Sequence, residues 1–346
     1  MTMTGAMSYS VERSTRLSRF AALLGTIVLV VLFTVPFWGG RSEMRFIVEI
    51  CYYLALAQMW NLLAGYAGLV SVGQQAFVGF GGYMLFVFSI FFGVHPLLAV
   101  LLGGILAAAI AVPTAFVVFR LRGAYFAIGT WVMAEVYRLV FAQVSALGGG
   151  SGKSLPVAVV KSIADSREMR DMTIYWLGLA IAICTVALVY LVLRSRHGLA
   201  LTAIRDSERA AESVGVDNFI TKLWVYIVAA FGTGLVGGLI FLEKLRISPD
   251  AGFNLLDWTA NVIFIVVIGG IGTIEGPFLG VIIFFLLREL FADLGSWYLI
   301  MLGSAAVLIM LKAPQGLWGL ISERYSLHFF PVQRRLRFNA NKEDSQ

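Results

Sequence analysis

Charged side chains are scarce in this sequence. Asp, Glu, Lys and Arg make up 13% of its 346 residues, against about 25% in a soluble domain. Hydrophobic residues make up 59%, and the mean hydropathy is +0.86. So little charge cannot cover a water-solvated globule, which makes lipid the solvent for most of the chain. Cysteine is nearly missing: Cys51 and Cys184 lie far apart in apolar runs, which excludes a disulfide framework or a thiolate metal site. Histidine is equally sparse, with His95, His197 and His328 isolated from one another and from any ligand spacing. The apolar runs hold no Ser/His, paired-Asp or metal-ligand arrangement, so no catalytic, metal or cofactor-binding residue is expected and the chain does not read as an enzyme. The formal net charge is +6, but the bases are spread over separate loops without interleaved aromatics, which excludes a nucleic-acid surface. A nucleotide loop is missing too. Gly148-Gly149-Gly150-Ser151-Gly152-Lys153-Ser154 looks like one, yet the Walker A spacing requires glycine where Leu147 stands, and no strand precedes it. These flexible glycines better suit a loop that contacts an external partner.

Long apolar runs are what the sequence has in abundance. They fall at residues 20–38, 46–65, 69–92, 97–119, 124–144, 174–193, 223–242, 258–273, 277–291 and 296–311. At roughly 20 residues per crossing, these amount to about ten helices. The last two runs before 296 are short and parted only by Ile274-Glu275-Gly276, the pattern of a broken helical hairpin. Arg13, Arg16 and Arg19 ahead of the first run resemble the charged end of a signal peptide. That run is too long, however, and ends in Pro36-Phe37-Trp38-Gly39-Gly40 without a small-x-small cleavage site, so it reads as a retained first helix.

Orientation follows from the bases in the connections. With the N-terminus inside, sixteen of the 26 Lys and Arg fall in inside segments: Arg13 to Arg19, Arg120 and Arg122, the loop 194–222, and everything from Lys312 onward. Eight fall outside, and Arg138 and Arg288 lie within spans. If residues 69–92 dipped in and returned, the basic loop 194–222 would face outward, so that run is expected to cross. The expected organisation is a cytoplasmic tail at 1–19, a transmembrane domain at 20–312 and a cytoplasmic tail at 313–346.

Polar chemistry enters the membrane at two glycine-rich breaks. The first runs from Asn61 through Gly65, Gly68, Ser71, Gly73, Gln74 and Gln75 to Gly82. Two readings stay open for it: a discontinuous segment with Asn61, Ser71, Gln74 and Gln75 lining a translocation pathway, or a tight helix seam in which the amides bond across helices. The second break is Gly269-Gly270-Ile271-Gly272-Thr273-Ile274-Glu275-Gly276-Pro277. Paired interruptions point to a transport fold. Glu135 and Arg138 share a helix face at i,i+3 within an apolar run, and read as a buried intramembrane ion pair that fixes packing. Glu49, Arg288 and Glu289 are expected near the interfaces, where their stems can snorkel.

The densest charge lies in the island 194–222, flanked by long apolar runs. In a helical register Ile204, Ser207, Ala211 and Val214 form one small, weakly apolar stripe. Arg205, Glu208, Arg209 and Glu212 take the other side, spaced for Arg205–Glu208 and Arg209–Glu212 pairs. Gly215 is a natural stop. Ala210 and Ala211 offer nothing to lipid, whereas small residues let a helix dock closely into a protein cleft. The expected fold is thus an all-α integral membrane protein, a polytopic bundle of about ten transmembrane helices, some broken by Gly, with a cytoplasmic coupling helix.

Residues 208–215 are similar to the Glu-Ala-Ala-x-x-x-Gly loop of ABC importer permeases. The fuller stretch Gly198-Leu199-Ala200-Leu201-Thr202-Ala203-Ile204-Arg205-Asp206-Ser207-Glu208-Arg209-Ala210-Ala211 resembles the branched-chain amino acid permease family of the LivM type. Residues 61–82, the run Leu121-Arg122-Gly123-Ala124-Tyr125-Phe126-Ala127-Ile128 with Glu135 and Arg138, and residues 267–280 carry the same resemblance, which spans about 45–320. It implies the permease subunit of an ATP-driven importer in a bacterial inner membrane. It also implies a homologous permease as heterodimer partner, two cytoplasmic ATPases holding ATP and Mg, and a periplasmic solute-binding protein that meets outer loops including 146–173. Where the family often reads Gly-His-Ala or Gly-Gln-Ala, this chain reads Gly73-Gln74-Gln75-Ala76, which keeps urea, amides and small carboxylates open beside amino acids. Two readings of another class are an ion-coupled secondary transporter and a non-transporting scaffold, for which polar breaks would be needless expense.

Overall fold

The computed structural model describes residues 9–12, 16–291, 297–313, 315–325, 329–330 and 335–338. Arg13, His328, Arg334 and Lys342 lie outside the described residues. Runs of Leu, Ala, Val, Ile and Phe without water to satisfy the backbone leave the helix as the available solution. The chain accordingly forms α1 (Arg16–Trp38), α2 (Arg41–Asn61), α3 (Gln75–Phe91), α4 (Pro96–Val118), α5 (Ala124–Gln143), α6 (Val157–Ile163), α7 (Arg167–Arg194), α8 (Arg196–Asp206) and α9 (Glu208–Ser213). These are followed by α10 (Asn218–Lys244), α11 (Pro249–Gly252), α12 (Asn261–Gly269), α13 (Gly276–Leu290), α14 (Trp297–Lys312) and α15 (Gly316–Tyr325). Two short antiparallel ladders complete the described residues. β1 (Tyr9–Glu12) pairs with β4 (Arg335–Phe338), which joins the two tails, and β2 (Lys153–Ser154) pairs with β3 (Arg246–Ile247).

Among the described residues, six helical stretches are long and apolar enough to cross a membrane: Arg41–Tyr66, Pro96–Val118, Arg167–Arg194, Asn218–Lys244, Pro249–Gly269 and Ile300–Arg324. Each overlaps one of the ten expected runs. The other four runs form α1, α3, α5 and α13, which are shorter or less apolar. The run at 69–92 is not helical throughout, because residues 68–73 are irregular and only Gln75–Phe91 coils. The short runs at 258–273 and 277–291 do form a hairpin, with α12 and α13 packed together around the reversal at 270–275.

Of the six spans, Arg41–Tyr66 and Asn218–Lys244 are the most enclosed, and α10 packs against both α3 and α4. Glycines make that approach possible. A Cβ on Gly81 would strike the backbone of Gly234, and one on Gly237 would strike the backbone of Val78. The glycine density read as a possible break in 79–82 therefore serves helix contact. Connections gather at two opposite ends. At one, Arg41 pairs with Asp171, His95 Nε2 meets Ser162 O at 2.9 Å, and β2 lies beside β3. The other end collects residues 67–74, 195–217 and 270–275.

Candidate functional site

The charged island does not form one helix. Ser207 is extended (φ −163°, ψ 111°), its Oγ accepts from Ala210 N at 3.3 Å, and it separates α8 from α9 as an N-cap. Ser207 followed by Glu208 is a helix-start signal, an N-cap with an acidic residue in the first turn. α9 ends at Ser213, and just beyond it Gly215, with φ +88°, turns the chain so that Val216 N reaches Ala211 O at 3.0 Å. The expected stripe is corrected accordingly: Ile204 and Ala211 are buried against the chain itself, whereas Ser207 and Val214 are exposed. Neither expected i,i+3 pair forms. Arg205 meets Asp206 at 3.2 Å, Glu208 takes Lys222 at 2.5 Å, and Glu212 accepts from Asn218 Nδ2 at 3.1 Å. Leu199, Arg209, Ala210, Glu212 and Val214 point outward.

Beneath α8 the two glycine-rich breaks touch. α2 continues into a π-turn at Leu62–Tyr66, and Gly68 passes under the backbone of Arg205. Asn61 Nδ2 donates to Thr273 O at 2.7 Å while its Oδ1 accepts from Gly272 N at 2.8 Å. Gln58 Nε2 donates to Ile274 O at 2.8 Å. Arg205 Nη1 donates to Gly65 O at 3.1 Å and sits beside Gly272, where the positive φ of 76° exposes the backbone to this close approach. One junction thus joins α8, the end of α2 and the α12–α13 reversal. Glu275 closes it from below, its Oε1 accepting from the amides of Phe329 and Phe330 at 3.0 and 2.9 Å. The sequence displays each segment of this junction. Their meeting, across 211 residues between Asn61 and Gly272, leaves no local signal.

Asn61, Ser71, Gln74 and Gln75 are all buried. Ser71 O accepts from Trp60 Nε1 at 2.7 Å and its Oγ from Gly73 N at 3.2 Å. Gln74 Nε2 donates to Leu56 O at 2.9 Å, and the Gln75 side chain bonds Thr259 Oγ1. These amides tie the start of α3 to α2 and to the residues ahead of α12. Gln74 Oε1, like Gln58 Oε1, has no hydrogen-bond partner, and Gln74 borders a small, mainly apolar cavity lined by Met59, Leu63, Phe77 and Ala230.

Glu135 and Arg138 do pair, with Arg138 Nε at 2.9 and 3.0 Å and Nη2 at 2.5 Å from the carboxylate. They are not buried. The Glu135 side chain is 46% exposed and that of Arg138 29%, and Arg138 Nη1 makes a further bond of 2.8 Å to Asp250, 81% exposed. Asp250 lies in the four-residue α11, and no local sequence signal marks its contact with a residue 112 positions earlier. Glu49 and Arg288 form a bidentate pair at 2.7 and 2.8 Å that joins α2 to α13.

The family model for the branched-chain amino acid transport system permease component matches residues 43–313. The chain is 26% identical over 312 residues to the high-affinity branched-chain amino acid transport system permease protein LivM of Salmonella typhimurium, covering 84% of this chain and 73% of that one. It is 27% identical over 317 residues to the LivM protein of Escherichia coli, with 85% and 74% covered. It is also 28% identical over 199 residues to a probable LivM permease protein of Methanocaldococcus jannaschii, with 56% and 54% covered. No solved structure matches the chain.

Proposed function

The chain belongs to the branched-chain amino acid transport permease family, and from that premise we propose that it carries branched-chain or other small amino acids inward as one permease of an ATP-driven importer. In this proposal the chain crosses a bacterial inner membrane ten times, through α1, α2, α3, α4, α5, α7, α10, α12, α13 and α14. The base-rich end with α8 and α9 faces the cytoplasm together with both tails, as the excess of Lys and Arg favours. A homologous permease forms the other wall of the path. Two ATPases, which alone bind ATP and Mg, grip α8 and α9, and a periplasmic binding protein meets outer loops including residues 146–173.

The observation that carries this reading is the junction under α8. Exposed Leu199, Ala210 and Val214 give an ATPase cleft something to hold, while inward Ile204 and Ala211 root the element in the permease. Arg205 then passes a displacement of α8 to Gly65 and Gly272, hence to α2 and the α12–α13 hairpin together. Moving a two-state permease from 1:99 to 99:1 requires about 5.5 kcal/mol of differential binding. ATP-driven closure of the ATPases supplies it through contacts that differ between the two states. Gln74 Nε2 and Gln75 Oε1 are taken up by contacts between helices, so these two groups give no reason to prefer a urea or amide solute.

Reconstitution tests the proposal. The complete complex in proteoliposomes imports leucine only with ATP and with the binding protein. Uptake by this chain without ATPases, collapsing with an ion gradient, would establish a secondary transporter instead.

A further inference from the structure

α5 has twenty residues, about 30 Å of helix, matching a hydrocarbon core of about 30 Å, yet it is not apolar enough to stand among the six spans. Glu135 lies eight residues before its C-terminal end at Gln143, about 12 Å along the axis. At that depth nearly half of the Glu135 side chain is uncovered, and Arg138 and Asp250 beside it are uncovered too. An ionised group facing lipid near mid-bilayer costs at least about 2.5–3.5 kcal/mol. Mutual pairing offsets part of that cost but leaves the outward oxygens of Glu135 and Asp250 facing the surroundings. The outward face of α4 shows what lipid contact looks like here, with Leu98, Leu101, Ile105, Phe116 and Val117 exposed and no charge among them. Three ionisable groups set the face at α5 apart from that lipid-facing pattern, and the apolar residues exposed beside them, Ile128, Trp131, Val132 and Leu139, suit a wall of the path shared with the homologous permease.

We infer that Glu135, Arg138 and Asp250 form a station for a zwitterion on the outer half of the translocation path, which rests on the permease reading above. Arg138 is a single cation shared by two carboxylates, its Nε and Nη2 held by Glu135 and its Nη1 by Asp250. Asp250 belongs to the four-residue α11 and is the most exposed of the three. A solute carboxylate displaces it from Nη1 in a like-for-like exchange, retaining the planar charge-assisted geometry that arginine offers. The α-ammonium of the same solute then meets the uncovered side of Glu135. An apolar side chain lies along Val132, Val136 or Leu139, exposed on the same helix. Without solute, the Asp250–Arg138 bond holds α11 to α5.

The test uses the full importer in proteoliposomes, with Cys51 and Cys184 replaced by serine and leucine as solute. Glu135→Cys and Leu139→Cys are treated from outside with a membrane-impermeant thiol reagent, and Ile105→Cys on α4 serves as the lipid-facing control. Leu139 carries no charge, so its variant reports on the face even where Glu135→Cys does not assemble. Labelling at 135 or 139 but not at 105, slowed by leucine-loaded binding protein, is expected. Neither position labelling in complexes that still import leucine would overturn the inference and leave the permease reading standing. Complexes that label as expected but import without ATP would overturn the permease reading instead. As a measure of chemistry, Arg138→Gln is expected to lower leucine uptake at least tenfold, and Asp250→Asn to lower the KM by removing the competing carboxylate. Wild-type uptake in Arg138→Gln would dismiss the station.

Discussion

Arg205 on α8 donates to the carbonyl of Gly65 at the end of α2, 3.1 Å away, while its Nη2 lies 3.2 Å from Asp206. The guanidinium thereby fixes the charged island to the enclosed helix of the bundle and borders Gly272 on the second break. A lysine ammonium is a point charge on a flexible stem and cannot hold two partners in that planar fork. Arg205→Lys is expected to leave ATP hydrolysis by the assembled complex intact and to cut leucine imported per ATP at least several-fold. An unchanged coupling ratio, measured in proteoliposomes, would remove Arg205 from the transmission.

Ala210 and Ala211 are neighbours with opposite surroundings. Ala211 is 1% exposed and faces the chain, whereas Ala210 faces outward. A glutamate at 211 places an unpaired charge in a closed contact, at a cost of about 3–5 kcal/mol. Ala211→Glu is expected to deplete the protein from membranes. Ala210→Glu is expected to accumulate normally and to lose transport while the ATPases continue to hydrolyse. Immunoblots of membranes beside uptake assays separate the two, and equal behaviour would contradict the orientation of α9.

The bundle itself was legible from composition, because ten apolar runs in a charge-poor chain leave few other solutions. The hairpin at 258–291 was legible for a similar reason, since Gly269 to Pro277 concentrates breakers between two short runs. The bend at Ser207 was encoded as well, but a periodic count of small residues outweighed the capping signal. What could not be read is partnership across distance. Nothing near Asn61 says that its amide will complete the backbone of Gly272 and Thr273, and nothing near Pro249 says that Asp250 will reach Arg138. The exposure of Glu135 was equally hidden, because a helical period gives the face of a residue but not what lies opposite.

Asn61 repairs two backbone groups of the second break that no helix can satisfy. In Asn61→Leu both Thr273 O and Gly272 N lose this partner, at about 1–3 kcal/mol for each unsatisfied group. The variant is expected to lower the thermal midpoint of the purified complex in detergent and to weaken transport. A midpoint equal to wild type would mean that water replaces the amide and that the two breaks are not held together by it.

Orientation has its own check at two exposed apolar residues, Val214 after α9 and Val157 at the start of α6. They lie at opposite ends of the bundle. In a cysteine-free background, Val214→Cys is expected to react with an impermeant thiol reagent only in inside-out vesicles, and Val157→Cys only in intact cells. The reverse pattern would place α8 and α9 outside and end the proposal of cytoplasmic ATPases.

Close packing of α10 against α3 supplies the last expectation. A Cβ at Gly237 would collide with the carbonyl of Val78, on a backbone held within α3. Neither helix can yield by turning a side chain, so the helices must separate. Overpacking of this kind costs about 1–3 kcal/mol, and loss of the close approach removes the van der Waals contact that joins helices in lipid. Gly303 on α14 has nothing within 4 Å of the same added carbon. Gly237→Ala is therefore expected to lower the thermal midpoint of the complex and the amount recovered from membranes, with Gly303→Ala indistinguishable from wild type. If the two variants melt together, the contact between α3 and α10 is looser than the backbone positions of Val78 and Gly237 indicate.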